Sequence, residues 1–177
     1  MGDKQKVQIT TWGNIIISMI TCKNNFGEEV CFPKEKFQFR PCVYGIIRNG
    51  NKICICKNKS NGKIWFPGGG IDVGEAMTDA LLREVDEETG LKNVRVGNLL
   101  GSFENFFYYQ PNDEAMHAFL FFYECSTDET ILKTNDEIDD DEATDLRWVE
   151  TDQLQKEGLC SLNEEIFCIL KSLKPSA

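Results

Sequence analysis

The stretch from Gly69 to Leu91, GGIDVGEAMTDALLREVDEETGL, constrains the fold more than any other part of the chain. It reads as a glycine loop followed by one helix dense in acids. Glu84, Glu87 and Glu88 are spaced i, i+3, i+4, so at ~100° per residue they fall within an arc of about 100° on one side of the helix. Like charges this close repel one another and weaken the helix. No lysine lies on that arc, so something positive is expected among the acids. A donor set made only of carboxylates suits a hard divalent cation, Mg2+ or Mn2+. Leu81, Leu82 and Val85, with Thr78, form an adjoining stripe expected to pack on a core. Asp79 and Asp86 fall towards solvent. Ala76 and Ala80 lie on the carboxylate side and leave room for the cation. Asp72 and Glu75 have capping-box spacing, which predicts a helix start near Val73. Gly90 is placed for a left-handed stop.

Length and charge bound the rest. A chain of 177 residues suits one domain, and 41% hydrophobic residues, 12 of them Phe, are enough for a core. The net charge of -10 argues against a surface built for nucleic-acid backbones or acidic membranes. A small nucleotide stays compatible, because a bound metal reverses the local sign. The 8 cysteines form no CxxC, and the single His117 offers little for a zinc site. Cys54 and Cys56 share one face of a strand, which points to core packing. Without a secretory signal the thiols read as reduced and the protein as cytoplasmic. The apolar run from Ile15 to Ile20 is too short for a membrane span.

Taken in order, residues 1–36 read as an N-terminal β extension that either lengthens the sheet or joins a homodimer. Residues 37–177 read as the main domain. Cys42 to Arg48 and Lys52 to Lys57 form a hairpin about Asn49-Gly50-Asn51. Lys63 to Pro67 is a short strand running into Gly68-Gly69-Gly70, where the backbone can approach a ligand and turn N–H groups towards phosphate oxygens. Val94 to Leu100 and Ser102 to Tyr109 read as strands with a break near Gly101. Met116 to Cys125 reads as a buried strand, and residues 127–145 as an acidic, mobile loop. Asp145 to Val149 is the last strand, and Leu162 to Leu173 a C-terminal helix. Strands and helices interleave without a regular βαβ repeat, so a mixed sheet with helices on both faces is expected.

Gly69, Glu75 and the run Arg83-Glu84-Val85-Asp86-Glu87-Glu88-Thr89-Gly90-Leu91 resemble the Nudix box, G-x5-E-x7-R-E-U-x-E-E-x-G-U with U aliphatic, with every fixed position filled. The resemblance covers residues 69–91 only. It implies an α/β fold, a Nudix-type α/β/α sandwich with a mixed β-sheet, and a MutT-like hydrolase. It implies metal binding by Glu84, Glu87 and Glu88, with Gly69 counted among the metal positions, and Mg2+ or Mn2+ as cofactor. Arg83 is expected to orient the acids through an ion pair, or to make only a surface pair with Glu87. Glu75 is a ligand or a structural anchor. A further acid outside the box often completes such sites, and Glu142, ahead of Arg147-Trp148-Val149, is the candidate, with Glu114 behind it.

The implied chemistry is hydrolysis of a pyrophosphate bond in a nucleoside diphosphate derivative, foremost a nucleoside triphosphate that could be oxidised. ADP-ribose or a nucleotide sugar is the alternative, and a non-catalytic nucleotide-sensing module comes third. The expected partner is a small-molecule nucleotide, with no membrane and no long nucleic acid. Gly68, Gly69, Gly70, Arg48 and Lys63 are the candidate substrate contacts, with Arg40 and Lys57 nearby in the sequence. Tyr44, Phe66, Phe106, Phe107, Tyr108, Tyr109 and Phe119 are the candidate base platforms.

Overall fold

The computed structural model describes residues 7–12, 15–59, 61–138, 143–155, 158–159 and 163–172. They fall into two compact units, residues 1–41 with 103–119, and residues 42–102 with 120–177. The smaller unit therefore takes in the N-terminal segment expected as an extension, together with part of two later strands.

In the smaller unit, β1 (Val7–Trp12) and β2 (Ile15–Asn24) form an antiparallel pair in which Trp12 faces Ile15, and β3 (Glu29–Pro33) pairs with the other edge of β2. Asn24 makes the turn between β2 and β3. Its side-chain oxygen accepts the N–H groups of Phe26 and Glu28 at 3.0 and 2.9 Å, and Gly27 takes the left-handed φ of 86°. The end of β2 runs parallel to the end of a later strand, with Lys23 opposite Phe107 and Asn24 opposite Tyr108. Lys36 lies over the rings of Phe32 and Tyr108, at 4.6 and 5.3 Å, and pairs with Asp113.

The larger unit carries the second half of β4 (Phe37–Asn49), then β5 (Lys52–Asn58), β6 (Ile64–Trp65), β7 (Gly68–Gly70) and α1 (Met77–Thr89). It continues with the first part of β8 (Arg95–Tyr109), the second part of β9 (Glu114–Ser126), β10 (Ala143–Glu150) and α2 (Asn163–Ser172). Its strands are ordered β8-β9-β4-β5-β10, with β6 on β5 and β7 on β4. The larger unit's strand pairs here are antiparallel, and the parallel β2–β8 pair of the smaller unit makes the strand pairing as a whole mixed.

Alternation along β4 divides the core. Val43 and Ile47 face α1 and pack with Ala80, Leu81, Val85, Leu91, Cys54 and Cys125. Tyr44 points the other way, stacked on Phe122 with centroids 5.3 Å apart and edge-on to Trp65. Gly45 leaves room for the helix, since a Cβ there would come within 3.4 Å of Leu81. In α2, Ile166, Ile169 and Leu170 are buried. Cys54 and Cys56 are buried, as their shared face predicts. No helix among the described residues is long and apolar enough to cross a membrane.

Several expectations shift. The helix starts at Met77, with Ala76 as its cap residue, not near Val73. Asp72 and Glu75 do bond reciprocally, Asp72 N–H to the Glu75 carboxylate at 3.2 Å and Glu75 N–H to the Asp72 carbonyl at 3.0 Å, but they close a turn ahead of the helix. The buried stripe is also turned relative to the expected one. Ala80 is fully buried and Thr89 joins it, whereas Leu82 is 39% exposed and Thr78 is on the surface. β8 runs unbroken through Gly101. Gly90 does stop the helix in the left-handed conformation, at φ 77°.

Candidate active site on the acidic helix

β7 and α1 bring the box together. The three glycines pair with β4, Cys42 opposite Gly70, Val43 opposite Gly69 and Tyr44 opposite Gly68. Their lack of side chains is used at close quarters. A Cβ on Gly69 would lie 2.7 Å from the Glu84 carboxylate. One on Gly68, whose φ is 140°, would lie 2.1 Å from the Val43 carbonyl oxygen. The Gly68 N–H donates to Glu88 Oε2 at 2.8 Å, so this amide holds a box acid. Two acids from successive turns of α1 thus sit against the triglycine strand.

Arg83 is the hub. Its Nε and Nη2 donate to the two oxygens of Glu75, each at 2.9 Å, a bidentate pair. Nη1 donates to Glu84 at 2.8 Å and, more weakly, to Glu87 at 3.3 Å. Nη2 also donates to the Gly70 carbonyl at 3.1 Å. Arg83 thus pairs with Glu75 and Glu84 as well as Glu87, and the bonds to Glu75 and Glu84 are the shorter. Glu75 is an anchor in this geometry. The Arg83 hydrogen bonds hold its carboxyl below the usual carboxylate range, and Glu75 in turn raises Arg83 further. Glu84 goes the other way. Burial raises it, and the Arg83 bond only partly offsets that. The two partners of Arg83 disagree in direction because Glu84 is the more deeply desolvated by the helix and glycines around it.

Glu87 is the outward member, its side chain 61% exposed. The far end of α1 is tied down by the segment after β9. Lys133 Nζ donates to the Glu87 carbonyl at 2.7 Å, and Lys133 N–H to the Thr89 carbonyl at 3.0 Å, filling acceptors that a helix end leaves open. Glu129 takes the N–H groups of Lys92 and Asn93 and the Asn93 side chain, at 2.8, 3.2 and 2.6 Å. Trp148 Nε1 donates to the Thr130 carbonyl at 2.9 Å. The first half of the segment read as a mobile loop is therefore bonded to the helix it follows in space. Nothing local in the sequence signals this, since Lys133 and Glu87 are 46 residues apart.

Arg48 sits near the hairpin end of β4, opposite Ile53, four residues past Tyr44, or ~13 Å along the strand. Lys63 is exposed ahead of β6, and Lys57 pairs with Asp145 at 2.9 Å. Phe66 is fully buried and belongs to the core. Glu114 and the aromatics from Phe106 to Phe119 belong to the smaller unit. Glu142 lies outside the described residues.

Among the described residues, no three of the possible ligands converge in metal-holding geometry. The donor chemistry nevertheless fits a hard dication: Glu84, Glu87 and Glu88 offer only oxygen, on one helix, and burial disfavours the charge of Glu84. Arg83 and Gly68 occupy part of the acids' lone-pair capacity and fix where they stand.

Comparison with known proteins supplies the family. The NUDIX domain model matches residues 38–168, most of the chain. The chain belongs to the NUDIX domain family. An ADP-ribose pyrophosphatase of Methanocaldococcus jannaschii is 42% identical over 66 residues, which cover 36% of this chain and 38% of that protein. An RNA pyrophosphohydrolase of Brucella anthropi is 39% identical over 70 residues, covering 34% and 40%. The chain spans about two fifths of the length of these relatives. In fold it is similar to a MutT NUDIX hydrolase from Burkholderia pseudomallei, with a TM-score of 0.57 and 22% identity over 77% of this chain and 99% of that one. A Bacillus halodurans MutT protein gives 0.58 and 22%, over 75% and 83%. Members of the Nudix hydrolase family generally need a divalent metal.

Proposed function

We propose that this NUDIX protein hydrolyses a pyrophosphate bond in a nucleoside diphosphate derivative. The observation that carries the reading is the set of box acids held in place by one arginine and a glycine strand. Such restraint holds carboxylates side by side despite their repulsion, which is useful when they must receive a cation already in register. Glu84, Glu87 and Glu88 would hold Mg2+ or Mn2+, with the outward Glu87 turning in to complete the set and Gly69 lining the same position. That ion supplies charge neutralisation for the phosphates and a more acidic water.

The chain's own groups do the rest. Arg83 keeps Glu84 oriented and anchors Glu75, so the loop before α1 stays fixed. Gly68, Gly69 and Gly70 let the substrate phosphates approach the backbone. Glu142 is the proposed general base, taking a proton from the attacking water on its carboxylate oxygen. A small nucleotide suits the acidic chain, with pI near 4.7, better than a long RNA. Among nucleotides, a nucleoside triphosphate, oxidised or not, is the favoured substrate. The similarity to a protein named ADP-ribose pyrophosphatase supports ADP-ribose as the second reading.

A panel of nucleoside triphosphates, oxidised triphosphates, ADP-ribose and nucleotide sugars, assayed with Mg2+ and with Mn2+, tests the proposal. Release of phosphate, pyrophosphate or a nucleoside monophosphate is expected, with near-total loss in Glu87→Gln and Glu88→Gln. The side-chain amide oxygen introduced by Glu88→Gln can still accept the Gly68 N–H, so this variant should keep the fold. Full activity in both variants would rule the site out. Ligand binding without turnover would favour the sensing alternative.

A further inference from the structure

A second polar site lies in the larger unit, on the other side of the sheet from α1. Arg48 follows Tyr44 and Ile46 on the face of β4 that turns away from Val43 and Ile47. It is 9% exposed, yet its Nε has no hydrogen-bond partner. The nearest acid, Glu124, stands 3.8 Å from Nη1, too far for a hydrogen bond. A buried guanidinium donor without an acceptor is unfavourable unless something supplies one.

The surroundings provide the space. Arg48 lines a groove of about 190 Å³ with Arg95, Val96, Gly97, Glu124 and Ser126, contributed by β4, β8 and β9. Gly97 forms a low point in it. A Cβ there would come 3.2 Å from the Glu124 carbonyl oxygen, so a side chain would fill the gap. Arg95 stands at the other wall, with Nη1 on Asp128 at 3.0 Å and Nε on Ser126 Oγ at 3.3 Å.

We propose that this groove is a phosphate-binding site formed by Arg48 and Arg95, separate from the acids of α1. Arg48 and Arg95 line one cavity, which favours an anionic occupant, and a phosphate offers several oxygens to be shared between the arginines and the Ser126 hydroxyl. Glu124 and Asp128 stand beside the arginines and keep the affinity modest.

The test uses the full chain in EDTA, so that no dication can bridge phosphate to the α1 acids. Inorganic phosphate is titrated by calorimetry against chloride at matched ionic strength, with acetate as a second arm. Saturable binding of phosphate at millimolar concentration is expected. It should weaken at least several-fold in Arg95→Gln and in Gly97→Val, which keeps both arginines but fills the floor, and persist in Glu87→Gln. Arg95 is exposed, so its variant tests the site even where Arg48→Met fails to fold. No saturable heat, equal binding of acetate, or unchanged binding in both Arg95→Gln and Gly97→Val would overturn the assignment. Loss of hydrolysis in Glu87→Gln with phosphate binding intact would separate the two sites.

Discussion

At the residue scale, Gly68 and Gly69 should fail differently. Gly69→Ala places a methyl group 2.7 Å from the Glu84 carboxylate. The flexible carboxylate can move, so stability should change little, while displacement of an acid by about an ångström should lower kcat about 100-fold. Gly68→Ala meets backbone, the Val43 carbonyl at 2.1 Å, at a φ of 140° that alanine rarely adopts. It should cost about 2–3 kcal/mol in urea unfolding, with activity lost through the fold. Equal stability losses in the two variants would contradict this division. Arg83→Lys retains a charge but loses the fork that bonds Glu75 and Glu84 together. Its kcat should fall while substrate KM moves less, because the acids, rather than a direct substrate contact, are disturbed.

At the scale of elements, α1 is held along its buried face and at its end. Leu81→Ala should destabilise the protein by about 2–5 kcal/mol, since Leu81 is fully buried between helix and sheet. The end depends on charge. The backbone and side-chain bonds from Asn93 hold the Glu129 carboxyl below the usual glutamate range, with those from Lys92 adding to them. A carboxylate whose folded value is lowered contributes its full stability above the ordinary glutamate value and loses it as pH falls through the lowered one. Glu129→Gln should therefore lower Tm most at neutral pH, and the gap to the unsubstituted protein should close in acid. A gap that stays constant from pH 7 to strongly acidic conditions would show that Glu129 acts through shape alone.

At the scale of the whole molecule, the buried hydrophobics among residues 18–41 and 103–119 are Cys22, Ala115, Met116 and Ala118, whereas the larger unit buries Phe66, Phe122, Leu81, Ile166 and several isoleucines. Amides of residues 18–33 and 103–118 should exchange with solvent at a lower opening free energy than those of β4 and β5 beyond Cys42. Native-state hydrogen exchange by mass spectrometry measures this directly, and uniform protection across both units would refute it. Sedimentation of the full chain, and of a chain lacking residues 1–36, decides whether that segment also serves a homodimer.

The sequence by itself determined the family and the position of the acids. A motif of fixed spacing specifies a helix, its glycine stop and the side that carries charge, because all three depend on contacts within a few residues. It also marked Cys54 and Cys56 as core through strand alternation. It misplaced the start of the helix because capping-box spacing fits an isolated turn as well as a helix end. It drew Leu82 and Thr78 into the core because helical spacing shows which residues share a side but not which side the sheet covers. The bonds from Lys133 and Glu129, the Glu88 carboxylate on the Gly68 amide, and the buried Arg48 with its open donor were decided by tertiary structure alone. Each joins strands or loops far apart in the chain, and no local pattern encodes which distant group will arrive as a partner.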